Sequence, residues 1–136
     1  MTRANLLKAF IESFHGKHVT FGVDDCAPFA ALWIEFATGR KVELPAYCSR
    51  EGGQELIRQA GGLVEVCDKC LANAGVFERF GEAQLGDVGV LRTARFGDVG
   101  GIFGVGGCFF WRHAKGTAVL CPRERYILKT WALPEE

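Results

Sequence analysis

The sequence predicts an α+β protein in which helices come first and an antiparallel sheet follows. Apolar residues recur at helical spacing as far as residue 73. From residue 86 onwards, short apolar runs alternate with glycine-containing turns, a pattern typical of strands joined by hairpins. Helices and strands segregated along a chain indicate the α+β class. A length of 136 residues suits one core, so residues 1–136 are expected to form a single domain.

The first two predicted helices lead to the most informative stretch of the chain. A helix is expected over residues 5–14, ended by Gly16. A central helix opens at Asp25-Cys26 and stops at Gly39, and Pro28 lies in its first turn, where a missing N–H has no partner to lose. Helical spacing predicts one buried stripe on this helix, formed by Phe29, Leu32, Trp33 and Phe36.

Two shorter helices and five strands complete the prediction. The helices are expected over residues 53–60 and 63–73, with Gly61-Gly62 between them. The strands are expected to form an antiparallel meander of four or five strands, on which the central helix packs. Their predicted ranges are 88–91, 99–105, 108–111, 117–121 and 126–133, with turns at Gly106-Gly107 and Lys115-Gly116.

The composition excludes several classes of function. Lysine plus arginine and aspartate plus glutamate both total 16, which argues against nucleic acid as a partner, because phosphate binding needs a basic excess. No apolar stretch reaches the roughly 18 residues that span a bilayer. The first residues carry Lys8 and Glu12 where a secretory signal would be apolar, so we expect the protein to be made in the cytoplasm and not to leave by the usual export route. In that reducing compartment, the six cysteines are expected to be free thiols.

Cys26 is the principal candidate for chemistry. A thiol at a helix N-terminus is exposed to the positive end of the helix dipole, which favours the thiolate. A cysteine there, with a histidine on a later strand, is the general layout of a thiol hydrolase. The alternative is a small buried side chain, with Asp24 and Asp25 serving as helix caps.

Several short motifs follow one another along the chain: Phe21-Gly22-x-x-Asp25-Cys26-x-x-Phe29, Thr38-Gly39, Gly86-Asp87-Val88 and Gly101-Ile102-Phe103. Their order and spacing resemble the NlpC-type cell-wall peptidases, which are papain-like thiol hydrolases. More closely, the chain is similar to a phage and prophage branch, often found beside tail genes, that shares Gly61-Gly62 and the C-terminal Lys129-Thr130-Trp131-Ala132-Leu133. The resemblance covers residues 20–133. The resemblance implies a papain-like NlpC-type fold.

The resemblance also implies roles for individual residues. Cys26 would be the nucleophile, and the backbone N–H of Asp25 would help to hold the oxyanion. The family's base is a histidine that opens the second strand, where this chain has Asp98 or Val99. The family's tyrosine upstream of the nucleophile is also missing, with Val19 near its place. His113 resembles the third polar residue and would orient a base or act as one.

Two functions follow as hypotheses. The first is a phage or prophage tail-associated structural or assembly protein that keeps the hydrolase fold without its chemistry, with tail or tail-tip proteins as partners. The second is an active thiol hydrolase that cuts peptidoglycan stem peptides during phage entry, with Cys26 as nucleophile. In both, the protein is made in the bacterial cytoplasm and carried in the virion tail, and neither needs a cofactor or a metal.

Other motifs favour structural roles. Cys67 and Cys70 have the C-x-x-C spacing of zinc or redox sites, but they share the apolar face of a predicted helix, which favours core packing over a metal-binding module. The glycine-rich run over residues 97–107 lacks the following Lys-Ser/Thr of a phosphate loop. Trp111 and Trp131 fit buried strand positions better than a stacking platform.

Overall fold

A computed structural model describes residues 2–135 and confirms the α+β class. Four helices precede five strands that form one antiparallel sheet. The helices are α1 (Arg3–Glu12), α2 (Cys26–Thr38), α3 (Arg50–Ala60) and α4 (Leu63–Asn73). The strands are β1 (Val88–Thr93), β2 (Gly97–Phe103), β3 (Phe109–His113), β4 (Gly116–Leu120) and β5 (Ile127–Trp131).

The sheet has the order β4-β3-β2-β1-β5. The predicted meander holds for the first four strands, each of which pairs with the next. It is wrong for β5, which returns to the far side of β1 and pairs Trp131 with Val88. A short 3₁₀ turn over Val105–Gly107 joins β2 to β3 at the predicted glycine turn.

Helix boundaries lie within three positions of the predicted ones. α1 ends at Glu12, two residues before its predicted end, and Thr2 caps its start by accepting a hydrogen bond from the Asn5 N–H. α3 starts three residues early because the Ser49 side chain accepts from the N–H of Gly52. Gly39 ends α2 in the left-handed conformation, as predicted.

α2 packs on β2, as expected, at a position where glycine allows a close approach. A Cβ placed on Gly100 would lie 3.3 Å from the carbonyl carbon of Cys26. The absence of a side chain at Gly100 therefore lets the first turn of the helix approach the strand backbone directly. This contact fixes the start of α2 against the centre of the sheet.

The main core lies between α2, its neighbouring helices and the sheet. Phe29, Trp33 and Ile34 on α2 are fully buried, and the Phe10 ring of α1 packs 5.5 Å from the Phe29 and Trp33 rings. The predicted stripe is wrong at Phe36, which is 52% exposed at the rim. Because α2 is covered by the sheet as well as by α1, its buried surface extends beyond the predicted stripe to Ala30 and Ile34.

A second apolar cluster covers the face of the sheet that points away from the helices. It consists of Leu91, Val99, Phe103, Phe109 and Trp111. Val88, Val90 and Ile102 face the helices instead. The alternation of side chains along each strand thus assigns every sheet residue to one of two faces.

The two edge strands differ in whether another segment forms hydrogen bonds with their outer side. A segment following α4 lies along β5, where the Arg79 N–H donates to the Thr130 carbonyl and the Ala132 N–H donates to the Phe77 carbonyl. β4 forms the opposite edge, and no strand in the described part of the chain pairs with its outer side.

Between residues 2 and 135, no helix is long and apolar enough to cross a membrane.

Replacing Gly101 by alanine should destabilise the sheet, because a Cβ there would lie 2.1 Å from the Phe110 carbonyl oxygen. We expect a loss of about 3 kcal/mol in the free energy of unfolding, measured by urea denaturation. Gly116→Ala is the matched control, since the nearest atom to its new Cβ is 3.8 Å away. Equal losses in the two variants would contradict this account of β2.

Candidate functional site

Cys26 is the first residue of α2 and lies beside β2, so the structure confirms that this thiol opens a helix against the sheet. The side chain borders a small apolar cavity between the start of α2, the 44–47 loop, α3 and α4. The cavity is lined by Cys26, Ala27, Pro28, Leu44, Pro45, Tyr47, Gly53, Leu56, Ile57, Leu63 and Val66. These residues include no histidine and no charged side chain.

Three effects set the protonation of Cys26. Burial is the largest and raises the pKa of the thiol, because a thiolate loses its hydration there. A hydrogen bond with the backbone of Gly100 lowers the pKa, and the negative charge of Asp25 raises it. The net pKa is raised, whereas the helix terminus alone predicts a lowered one. Cys26 is therefore a neutral thiol at neutral pH.

Asp25 precedes Cys26 at the N-cap position, but its carboxylate does not cap the helix. One oxygen accepts from the Gly22 N–H at 2.8 Å, and the other accepts from the Tyr47 hydroxyl at 2.6 Å. Burial and this hydrogen bond both raise the pKa of the Tyr47 phenol, so Tyr47 stays a donor. The carboxylate thereby ties the start of α2 to the 44–47 loop. The oxyanion role predicted for the Asp25 N–H stays a prediction.

The sequence did not indicate that Tyr47 belongs to this site. Tyr47 lies far from Cys26 along the chain, and no spacing rule connects a loop residue to a distant helix cap. The glycines around it carry a weak signal in retrospect. Gly22 has a φ of +84°, and a Cβ on it would lie 1.9 Å from the Tyr47 carbonyl oxygen, while a Cβ on Gly53 would lie 2.8 Å from the Tyr47 ring.

The structure does not bring His113 to Cys26. Arg112 points towards the helices, where its guanidinium lies 4.8 Å from the Phe14 ring centroid. His113, the next residue on β3, points to the other face and is exposed, with its ring 5.0 Å from that of Phe96. The roles predicted for His113 as base or orienter therefore lack the contact that they require.

Near the start of β2, where the NlpC-type resemblance implies a histidine, this chain has Asp98 and Val99. Asp98 pairs with Arg92 of the adjacent strand at 3.3 Å. Val99 is buried in the apolar cluster on the far face. Neither side chain supplies a base to the cavity beside Cys26.

A fully buried ion pair lies directly before the site. Asp24 and the side chain of Arg112 are both 0% exposed, and Nη2 of Arg112 lies 3.5 Å from Oδ2 of Asp24. The other carboxylate oxygen accepts from the Thr20 N–H at 2.8 Å, and Nη2 also donates to the Lys17 carbonyl. Asp24 is thus not a helix cap, contrary to the alternative derived from the sequence, but an anchor between the 17–24 loop and β3.

The Gly86-Asp87 turn is a second anchor. The Trp33 indole N–H donates to the Gly86 carbonyl at 2.7 Å, which attaches α2 to the start of β1. Asp87 is fully buried, forms an ion pair with Arg79, and accepts from the Leu133 N–H at 3.0 Å. Both residues therefore stabilise the fold and lie away from Cys26.

The C-x-x-C cysteines are core residues, as the sequence favoured. Cys67 and Cys70 lie on the buried face of α4, and burial raises the pKa of Cys67 to about 12. Within the described residues, no group of three or more histidine, cysteine, aspartate or glutamate side chains is arranged to hold a metal ion.

A family model described as "Domain of unknown function (DUF6950)" matches residues 2–132. The chain belongs to this family. The match spans all four helices and all five strands, so the DUF6950 domain includes the Cys26 cavity, the buried ion pair and the whole sheet. No curated protein matches the chain.

Tyr47→Phe should weaken the attachment of the 44–47 loop, because the Asp25 carboxylate loses a short hydrogen bond. We expect the free energy of unfolding to fall by about 1–2 kcal/mol at pH 7. The other tyrosine provides a matched control: Tyr126 is exposed and contacts Arg125, so Tyr126→Phe should change stability by less than about 0.5 kcal/mol. Equal effects in urea denaturation would contradict the role given to Tyr47.

Arg112→Met should leave the Asp24 carboxylate buried with Lys17 as its remaining cationic partner, and we expect a loss of about 3–5 kcal/mol in the free energy of unfolding. Arg92→Met is the control, since its ion pair with Asp98 is largely exposed and should contribute less than about 1 kcal/mol. Adding Asp24→Asn to Arg112→Met should restore part of the loss. Denaturation curves that place both arginine variants at the same midpoint would contradict this assignment.

Proposed function

We propose that this protein is a phage or prophage tail-associated component built on the NlpC-type cysteine-peptidase fold, and that its peptidase chemistry has been lost. It would be made in the bacterial cytoplasm, carried in the virion tail and bound there to tail or tail-tip proteins. The fold part of the proposal is supported by a cysteine at the first position of a helix that packs on an antiparallel sheet. The tail association rests on the resemblance of the ordered motifs.

The observation that carries the loss of chemistry is the surroundings of the Cys26 thiol. Burial raises its pKa, and its cavity is lined by apolar side chains with Tyr47 as the only phenol. A thiol peptidase needs a base within hydrogen-bond reach to form the thiolate and to protonate the leaving amine. His113 points to the other face of the sheet, and Asp98 is paired with Arg92. The residues that line the cavity therefore include no base that could pair with the Cys26 thiol.

The alternative is an active thiol hydrolase that cuts peptidoglycan stem peptides with Cys26 as nucleophile. Two features favour it: the helix N-terminus at Cys26 and the hydrogen bond with the Gly100 backbone, which lowers the pKa of the thiol. Both features counteract the rise in the thiol pKa that burial causes, but neither supplies a group that accepts the thiol proton. General-base help contributes roughly 10²–10⁴-fold, so activity without it would be slow.

Incubation with purified peptidoglycan sacculi separates the two functions. We expect the wild-type protein and Cys26→Ser to release the same background of soluble peptides, measured by liquid chromatography with mass spectrometry, because no thiolate–base pair forms. An active NlpC-type peptidase serves as the positive control. Cleavage by the wild type that disappears in Cys26→Ser would overturn the loss of chemistry and establish the hydrolase.

Alkylation on the same preparations reports the state of the thiol directly. Iodoacetamide at pH 7 should modify Cys26 more slowly than the exposed Cys48, since Cys26 is partly buried and protonated.

The tail association has its own test: peptides of this chain should co-purify with tails separated from heads. Tail fractions that lack them would contradict that part of the proposal and leave the alkylation result standing.

A further inference from the structure

Two thiols outside the Cys26 site face each other at the open end of the β3–β4 hairpin. The Sγ atoms of Cys108 and Cys121 lie 3.0 Å apart. Phe109 and Leu120 are directly paired at the ends of the two strands, so these cysteines occupy the next position beyond each strand end. The backbone register therefore holds the two sulfur atoms opposite each other.

Accessibility distinguishes this pair from the other thiols. Cys121 is exposed and Cys108 is partly exposed, whereas Cys67 and Cys70 are buried in the core. Cys48 is exposed, but it lies in the loop before α3, outside the sheet. Reagents in solution thus reach Cys121 first and find Cys108 within contact distance of it.

We propose that Cys108 and Cys121 form a redox-sensitive modification site, which a small-molecule disulfide of the glutathione class converts into an intrachain cross-link. A disulfide bond is about 2.05 Å long, so the sulfur atoms need to approach by only about 1 Å. The adjacent strand positions already satisfy the pairing that a cross-strand bridge requires.

The reaction proceeds by two exchanges. The Cys121 thiolate attacks one sulfur of glutathione disulfide, which forms a mixed disulfide and releases one glutathione thiolate. Cys108 then loses its proton to solvent and attacks the Cys121 sulfur, which releases the second glutathione. The protein dithiol is oxidised by two electrons, and one glutathione disulfide is reduced to two glutathione molecules. The hydrogen bond with Cys121 raises the pKa of Cys108, consistent with Cys108 as the second sulfur to react.

The cross-link would join the two chain segments that meet at the open end of this hairpin. Cys108 follows the 3₁₀ turn, where its carbonyl accepts from the Gly104 N–H, and Cys121 precedes Pro122 at the beginning of the link to β5. A groove lies beside this hairpin end and is bordered by Val105, Gly106, Gly107 and Pro122. Oxidation would therefore fix one wall of this groove and the edge strand β4 together.

The test exposes the reduced, folded protein to a series of glutathione redox buffers and then blocks the remaining thiols. Apart from the added blocking groups, we expect the intact protein to lose the mass of two hydrogen atoms. Tryptic digestion should yield a reducible cross-link between the peptide ending at Arg112 and the peptide ending at Arg123. The melting temperature should rise by about 5–10 °C, because the bridge constrains the unfolded chain.

Single variants provide the matched controls. In Cys108→Ser, Cys121 should keep one glutathione, and neither Cys108→Ser nor Cys121→Ser should gain the rise in melting temperature. Cys48→Ser should cross-link like the wild type. The proposal is overturned if Cys108 and Cys121 each retain a glutathione in the wild type, or if both remain reduced in excess glutathione disulfide. None of these readouts depends on the fate of Cys26.

Discussion

Asp24 and Arg112 are buried charges whose mutual contact holds together three parts of the fold. The carboxylate organises the turn from Thr20 to Asp24, and the guanidinium reaches from β3 to the Lys17 carbonyl and the Phe14 ring. Removal of two charges from water is costly, so only the arrangement that pairs them is stable. This requirement fixes where the chain enters α2, and hence where Cys26 meets β2. The position of the thiol is therefore set by an electrostatic constraint two residues away.

The properties of Cys26 arise from competition between the helix terminus and the surrounding hydrocarbon. The dipole of α2 and the Gly100 backbone favour negative charge at the sulfur. The apolar cavity and the nearby Asp25 carboxylate disfavour it. Burial is the largest of the resolved effects, so the same scaffold that positions the thiol also keeps it protonated. A helix N-terminus activates a cysteine only where solvent or a cation can support the charge.

Local sequence signals were sufficient for most elements and insufficient for contacts between them. Gly39 and Gly61 ended their helices as predicted, because a left-handed C-cap depends on a single residue. The place of β5 beside β1 depends on long-range pairing that no local pattern encodes. The same holds for the site: Cys26 was found from its own neighbourhood, whereas the Tyr47–Asp25 contact joins residues with no shared periodicity. The predicted order of strands allowed His113 to lie near Cys26, but the alternation of side chains along β3 directs His113 to the face of the sheet away from the helices.

The unequal edges of the sheet have a consequence for how the protein behaves at high concentration. The segment that follows α4 shields the end of β5, where it forms hydrogen bonds with the Thr130 carbonyl and the Ala132 N–H. β4 carries Thr117, Ala118, Val119 and Leu120, with no charged side chain among them and with Val119 more than half exposed. Natural edge strands usually bear lysine, proline or a bulge that blocks strand-to-strand association. The nearest such residues, Lys115 and Pro122, lie outside β4, so the strand itself is where aggregation by sheet extension would begin.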